Sequence, residues 1–143
     1  MSPDRSHARL EFVARHAGIE NPEIVPASSD ASFRSYWRVG PANAAKSNTT
    51  TYVVMDAPVE HEDVRPWIDV DRRLRVAGLH APEVFAVDTE QGFVLIEDLG
   101  TRTYLPELDS DTADALYGDA LDAMLRMQTG VDTRGLPDYD RAR

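Results

Sequence analysis

The sequence predicts an α+β fold: an antiparallel sheet of about five strands packed on one helix, with a further helix at each end of the chain. Three observations predict it. Apolar residues recur with helical spacing in three separated segments, alternating or β-branched runs fill the intervals, and Gly, Pro, Asn, Asp and Ser bound most of those runs. A length of 143 residues suits a single core, and 42% hydrophobic with 28% charged residues is the composition of an ordinary folded domain rather than a disordered or fibrous one.

Leu10, Val13, Ala14 and Ala17 stand at i, i+3, i+4 and i+7, which predicts a helix over 5–17 with Asp4 as its N-cap and Gly18 as its stop. Ile24 and Val25 then lead through Pro26 into the small residues 27–32, read as a tight turn. Residues 33–39 alternate. Phe33, Ser35, Trp37 and Val39 face one way, and Arg34, Tyr36 and Arg38 the other, as in a strand. Residues 40–48, with Pro41, three Ala, two Asn and Lys46, read as a flexible connection to a β-branched strand over 49–55.

Pro66 suits the first turn of a helix over 66–77, in which Trp67, Val70, Leu74 and Ala77 keep helical spacing and Gly78 supplies the break. Strands over 84–88 and 93–97 are joined by Thr-Glu-Gln-Gly, a hairpin loop of common length. After Asp98-Leu99-Gly100 comes a linker, then a helix over 111–128. Its apolar face is Ala113, Leu116, Tyr117, Ala120, Leu121, Met124 and Leu125, and Asp111 and Asp114 suit the positive end of its dipole.

Fifteen Lys and Arg against twenty-five Asp and Glu leave a net charge of −10, so no overall positive field attracts nucleic acid or anionic lipid. No stretch approaches the ~18 apolar residues of a membrane span, and the N-terminus lacks the apolar run of a secretory signal. Absence of cysteine removes disulfides and thiolate metal sites and fits a cytoplasmic location. The four histidines form no HExxH pattern, so no metal site is expected. Fourteen of the fifteen cations are Arg, which makes Lys46 the single lysine.

Four blocks carry a resemblance. Ser-Ser-Asp-Ala-Ser-Phe-Arg-Ser-Tyr-Trp-Arg-Val (28–39), Val-Val-Met-Asp-Ala-Pro (53–58), Ala-Gly-Leu-His-Ala-Pro-Glu-Val (77–84) and Phe-Val-Leu-Ile-Glu-Asp-Leu-Gly (93–100) resemble the N-terminal lobe of the aminoglycoside phosphotransferase family. Within that family the run is similar to the cell-wall-recycling kinases that phosphorylate the anomeric hydroxyl of N-acetylmuramic acid and N-acetylglucosamine. The resemblance implies a protein-kinase-like small lobe over 1–98 that binds nucleotide, a hinge or linker over 99–110, and the truncated start of the large lobe over 111–143. It implies ATP at the hinge and Mg2+ held by the absent lobe, which also supplies most contacts to the sugar. The family's catalytic loop, His-x-Asp followed by Asn, matches nothing here: His61-Glu62-Asp63 reaches Ile68 and precedes the hinge. Catalytic residues in this chain are therefore expected to be none, and the 143 residues alone to be inactive.

The resemblance also distributes roles. Ser28, Ser29 and Ser32 would form a lid over the phosphates with backbone N–H groups, although the loop has no glycine; a plain β-turn is favoured by the loop alone, the lid once the surrounding blocks are counted, and Asp30 would cap the turn. The third strand has no cation, so Arg34, Arg38 or Lys46 must compensate the phosphates, and Arg34, two residues past the lid, is favoured. Asp69 or Asp71 would replace the usual glutamate ion-pair partner on the helix 66–77. At the hinge, Ile96 is the gatekeeper, the Glu97 carbonyl accepts from adenine and the Leu99 N–H donates to it. Val25, Val39, Val53, Trp37 and Trp67 read as core. Two rivals stand beside this reading: a non-catalytic, pseudokinase-like module that binds nucleotide or a partner, and a fragment of an aminoglycoside kinase. The apolar face of the last helix, if uncovered, favours self-association.

Overall fold

The structure is a computed structural model that describes residues 3–29, 32–42 and 50–138. The elements run α1 (Pro3–His16), β1 (Glu23–Ser29), β2 (Ser35–Gly40), β3 (Tyr52–Asp56), α2 (Val64–Val76), β4 (Val84–Asp88), β5 (Phe93–Glu97), a short 3-10 turn (Leu105–Glu107) and α3 (Ala113–Gly130). The five strands form one antiparallel sheet in the order β1-β2-β3-β5-β4, so the α+β expectation holds.

Several boundaries differ from the sequence reading, each for a local reason. β1 continues through Pro26 to Ser29, so the turn begins later than residue 27. An edge strand tolerates Pro, which only has to present its missing N–H away from the ladder, and a bulge between Pro26 and Ser28 takes up the irregularity. β2 starts at Ser35, because Arg34 donates its N–H to Ser32 Oγ instead of entering the ladder. α2 begins at Val64, two residues before Pro66, where the Asp63 carboxylate accepts the Arg65 N–H. α3 begins at Ala113, since Asp109 Oδ1 captures the N–H groups of Asp111 and Thr112 just ahead of it. Gly18 and Gly78 stop α1 and α2 at positive φ, 63° and 79°. The connection containing Lys46, and Asp30 in the expected lid, lie outside the described residues.

The chain divides into two compact units, Met1–Asp69 with Pro82–Thr101 and Val70–Ala81 with Arg102–Arg143. In the first, both sheet faces are covered, and the period of two along β3 and β5 sorts their side chains. Val54, Phe93 and Leu95 face α1 and pack with Phe12, Val13, Ala17 and Val39. Val53, Met55, Val94 and Ile96 face the other way and pack with Ala57, Val64 and the partly buried Tyr36, Trp67 and Ile68. Trp37 joins the α1 side, so both tryptophans serve the core; Val25 does not, being 40% exposed on the edge strand.

Charge fastens α1 to the sheet. Arg5 Nε and Arg9 Nη1 donate to the two oxygens of buried Asp56 at 2.7 and 2.8 Å, with Arg9 lying 3.8 Å over the Trp37 ring and Arg5 4.6 Å over Phe93. At the far hairpin, Gly92 has φ 74°, and a Cβ there would stand 1.9 Å from the Ala57 carbonyl oxygen.

In the second unit, Arg73 Nη1 donates to the carbonyls of Asp132 and Arg134, and Arg126 Nη1 to that of Gly78. α3 has no buried residue: Tyr117, Leu121, Met124 and Leu125 are all at least half exposed.

Candidate functional site

Val25 pairs with Arg38, Arg38 with Val53, and Val53 with Ile96, a row that crosses four strands on one face of the sheet. In this row Arg38, Val53 and Ile96 line a hollow of about 430 Å³, together with Ala27, Ser28, Tyr36, Pro82 and the strand exit Glu97 to Thr101. The hollow thus has apolar side chains beneath it and backbone along one side, the composition of a small-molecule site.

The strand exit is held from two directions. On the β4 side, the Glu97 N–H donates to the Glu83 carbonyl at 2.8 Å and Glu97 Oε2 accepts the Glu83 N–H at 3.1 Å. On the β2 side, Asp98 accepts Arg38 Nε at 2.5 Å and Nη2 at 3.1 Å, Thr51 Oγ1 at 2.7 Å and the Gly100 N–H at 2.9 Å. The Arg38 fork holds the Asp98 carboxyl below the usual carboxylate range, and in return Asp98 raises the Arg38 guanidinium. Leu99 differs: it is half exposed, and among the described residues nothing accepts its N–H.

Of the residues singled out from sequence, Ser28, Ile96, Glu97 and Leu99 are brought together around the hollow. Ser29 closes β1. Ser32 and Arg34 do not line the hollow: Ser32 Oγ accepts the Arg34 N–H and Nε, and Arg34 Nε stands 3.8 Å from Glu62. Beside them the Phe33 and His61 rings stack at 4.3 Å, fastening this end of the expected lid to the segment before α2. Asp69 is partly buried on α2. Asp71, in the second unit, is 6% exposed; burial raises its pKa, and among the described residues its Oδ1 has no hydrogen-bond partner. Among the described residues no group of three His, Cys, Asp or Glu side chains is placed to hold a metal ion.

The sequence offers Arg38 only as one of three candidate phosphate cations, behind Arg34, and Asp98 only as the residue that follows the strand. Their pairing needs the register of β2, β3 and β5, which a periodic pattern does not contain. The only local signal is one Arg on the hollow side of β2 and one Asp just past β5.

A five-stranded antiparallel sheet with helices on it, and a hollow bounded by the strand that leaves it, is consistent with a kinase-like small lobe. The model of the phosphotransferase enzyme family matches residues 23–143, and the chain belongs to that family. Two Pseudomonas proteins, each named N-acetylmuramate/N-acetylglucosamine kinase, are similar to it. The one from Pseudomonas aeruginosa is 47% identical over 133 residues, covering 92% of this chain and 37% of its own length. That from Pseudomonas putida is 44% identical over 119 residues, covering 83% and 33%. A protein of the same name from Neisseria meningitidis serogroup B is 34% identical over 123 residues, covering 83% and 35%. The chain spans about a third of the length of these curated relatives.

Proposed function

We propose that this chain is the ATP-binding lobe of a kinase that moves the γ-phosphate of ATP to the anomeric hydroxyl of an amino sugar such as N-acetylmuramate or N-acetylglucosamine. The observation that carries the reading is the hollow under Arg38, Val53 and Ile96, bordered by a Leu99 N–H that nothing among the described residues accepts. The names of the three relatives supply the sugar.

In this reading adenine enters beside Ile96, its amino group donating to the Glu97 carbonyl and its ring nitrogen accepting from Leu99. Ser28, Ser29 and Ser32 offer hydroxyl and backbone donors to the phosphates. Arg38 is committed to Asp98 by two bonds, whereas Arg34 meets Glu62 only at 3.8 Å and the neutral Ser32 hydroxyl at 3.2 Å, so of these two Arg34 is the cation able to turn to a triphosphate. Asp69, in the same unit as Arg34, is the acidic partner on α2. Residues 1–98 form the nucleotide lobe, 99–110 the hinge and 111–143 the beginning of the large lobe. Magnesium ligands, catalytic base and most sugar contacts come from sequence beyond these 143 residues, and the enzyme works in the cytoplasm.

The test is a titration of the 143-residue chain with a fluorescent ATP analogue, followed by addition of N-acetylmuramic acid and ATP-Mg. Saturable binding that ATP displaces, without sugar phosphate formed, is the expected result. No displaceable binding overturns the nucleotide assignment, and sugar phosphate that disappears in a lid variant overturns the assignment of the catalytic groups.

A further inference from the structure

We propose that Asp98, clamped by Arg38, is a positioning residue for the base: it sets the direction of the backbone on either side of itself, the Glu97 carbonyl and the Leu99 N–H. This rests on the nucleotide reading of the hollow and adds to it a residue pair that touches no phosphate.

Four donors from three parts of the chain converge on one carboxylate. Oδ2 takes Arg38 Nε from β2 and Thr51 Oγ1 from just before β3; Oδ1 takes Arg38 Nη2 and, inside the strand exit itself, the Gly100 N–H. The carboxylate is 6% exposed, and both its oxygens are occupied twice. A planar guanidinium fork against a planar carboxylate fixes orientation as well as distance, which a lysine at the same place would not.

Leu99 has no such restraint of its own, with its side chain half in solvent. Its peptide is spanned by the bond from the Gly100 N–H to Asp98 Oδ1, and Gly100, at φ 83°, adopts the left-handed turn that lets this bond close. The direction of the Leu99 N–H is therefore inherited from the Asp98 side chain. A partly buried ion pair is a costly way merely to close a sheet, since apolar residues of similar size hold such positions as well or better. Its place on the wall of the hollow gives it a reason to exist.

The experiment measures displacement of a fluorescent ATP analogue from the 143-residue chain by two competitors, adenosine and inorganic tripolyphosphate. Asp98→Asn, which keeps the shape but loses the charge and one acceptor oxygen, should weaken adenosine about tenfold and leave tripolyphosphate within twofold of the parent. Arg38→Lys and the milder Thr51→Val should follow in the same direction with smaller losses, and guard against a variant that fails to fold. An equal loss for both competitors, or no loss of adenosine with the parent chain binding normally, overturns the inference while leaving the nucleotide reading intact. A parent chain that binds neither competitor overturns the nucleotide reading, and this inference with it.

Discussion

Arg9 reaches across from α1 to place Nη1 2.8 Å from Asp56 Oδ2, with 6% and 2% of the two side chains exposed. The contact joins the first element of the chain to the end of β3, 47 residues later, and Arg5 fills the other oxygen. Breaking a buried ion pair strands the remaining charge, at a cost of about 3–5 kcal/mol. Asp56→Ala should therefore lower stability in urea unfolding by about that amount, whereas Asp56→Leu combined with Arg5→Leu and Arg9→Met, which leaves no charge unpaired, should lose much less.

Gly92 makes a second structural prediction. Its φ of 74° and the 1.9 Å that would separate a Cβ from the Ala57 carbonyl leave no room for any other residue. Gly92→Ala should cost at least ~1–3 kcal/mol, the range for a non-glycine residue held in the left-handed region, and a lowered melting temperature checks it.

Leu99→Pro tests the hinge. The substitution removes the N–H assigned to the adenine ring, and a ring nitrogen left unpaired in a dry slot costs ~1–3 kcal/mol. Affinity for ATP should fall about tenfold. The melting temperature should hardly move, because Leu99 is half exposed and its N–H bonds nothing among the described residues. Unchanged affinity would remove Leu99 from the site.

For the phosphates, Arg34→Ala should weaken binding of ATP by about 1.5–3 kcal/mol, the range for a hydrogen bond to a charged group. Lys46→Ala should have little effect, because Arg34, close behind Ser32, has a guanidinium that can fork onto two phosphate oxygens. A displacement titration with tripolyphosphate compares the two variants directly, and a larger loss at Lys46 would exchange their roles.

Asp71 sets a pH dependence. Burial raises its folded pKa above the ordinary value of 3.8, with Arg75 only partly offsetting this, so its charged form is disfavoured in the native state. The contribution is fully favourable below pH 3.8, where the carboxyl is neutral folded or unfolded, and is lost as pH rises through the raised folded pKa. Asp71→Asn, neutral at every pH, should match or exceed the parent's melting temperature at pH 7, and its advantage should shrink as the pH is lowered toward 4. An advantage that grows on acidification would show that Asp71 is stabilised in its charged form.

Much of the fold was legible because it depends on short-range chemistry. The strand pair over 84–97 is announced by β-branched runs around Thr-Glu-Gln-Gly, and the Asp88 carboxylate does accept the N–H groups of Glu90 and Gln91 in that loop. The three helices follow from the spacing of their apolar residues, with the starts of two displaced where Asp63 and Asp109 intervene. The end of β5 at Glu97, with an unpaired segment after it, could be read in the same way.

Side-chain pairing was not legible in the same way. Alternation says that Arg38 shares a face with Tyr36, and nothing about a carboxylate 60 residues later; only the ladder that places Arg38 opposite Val53 and Val53 opposite Ile96 brings the guanidinium to Asp98. Likewise Arg5 and Arg9 look like solvent-facing helix residues until α1 lies on the sheet and Asp56 faces them. Periodicity settles which face a residue shows, because that depends on backbone geometry within a few residues. Which charge it meets is a matter of register between distant segments, decided when the strands align and water is expelled from between them.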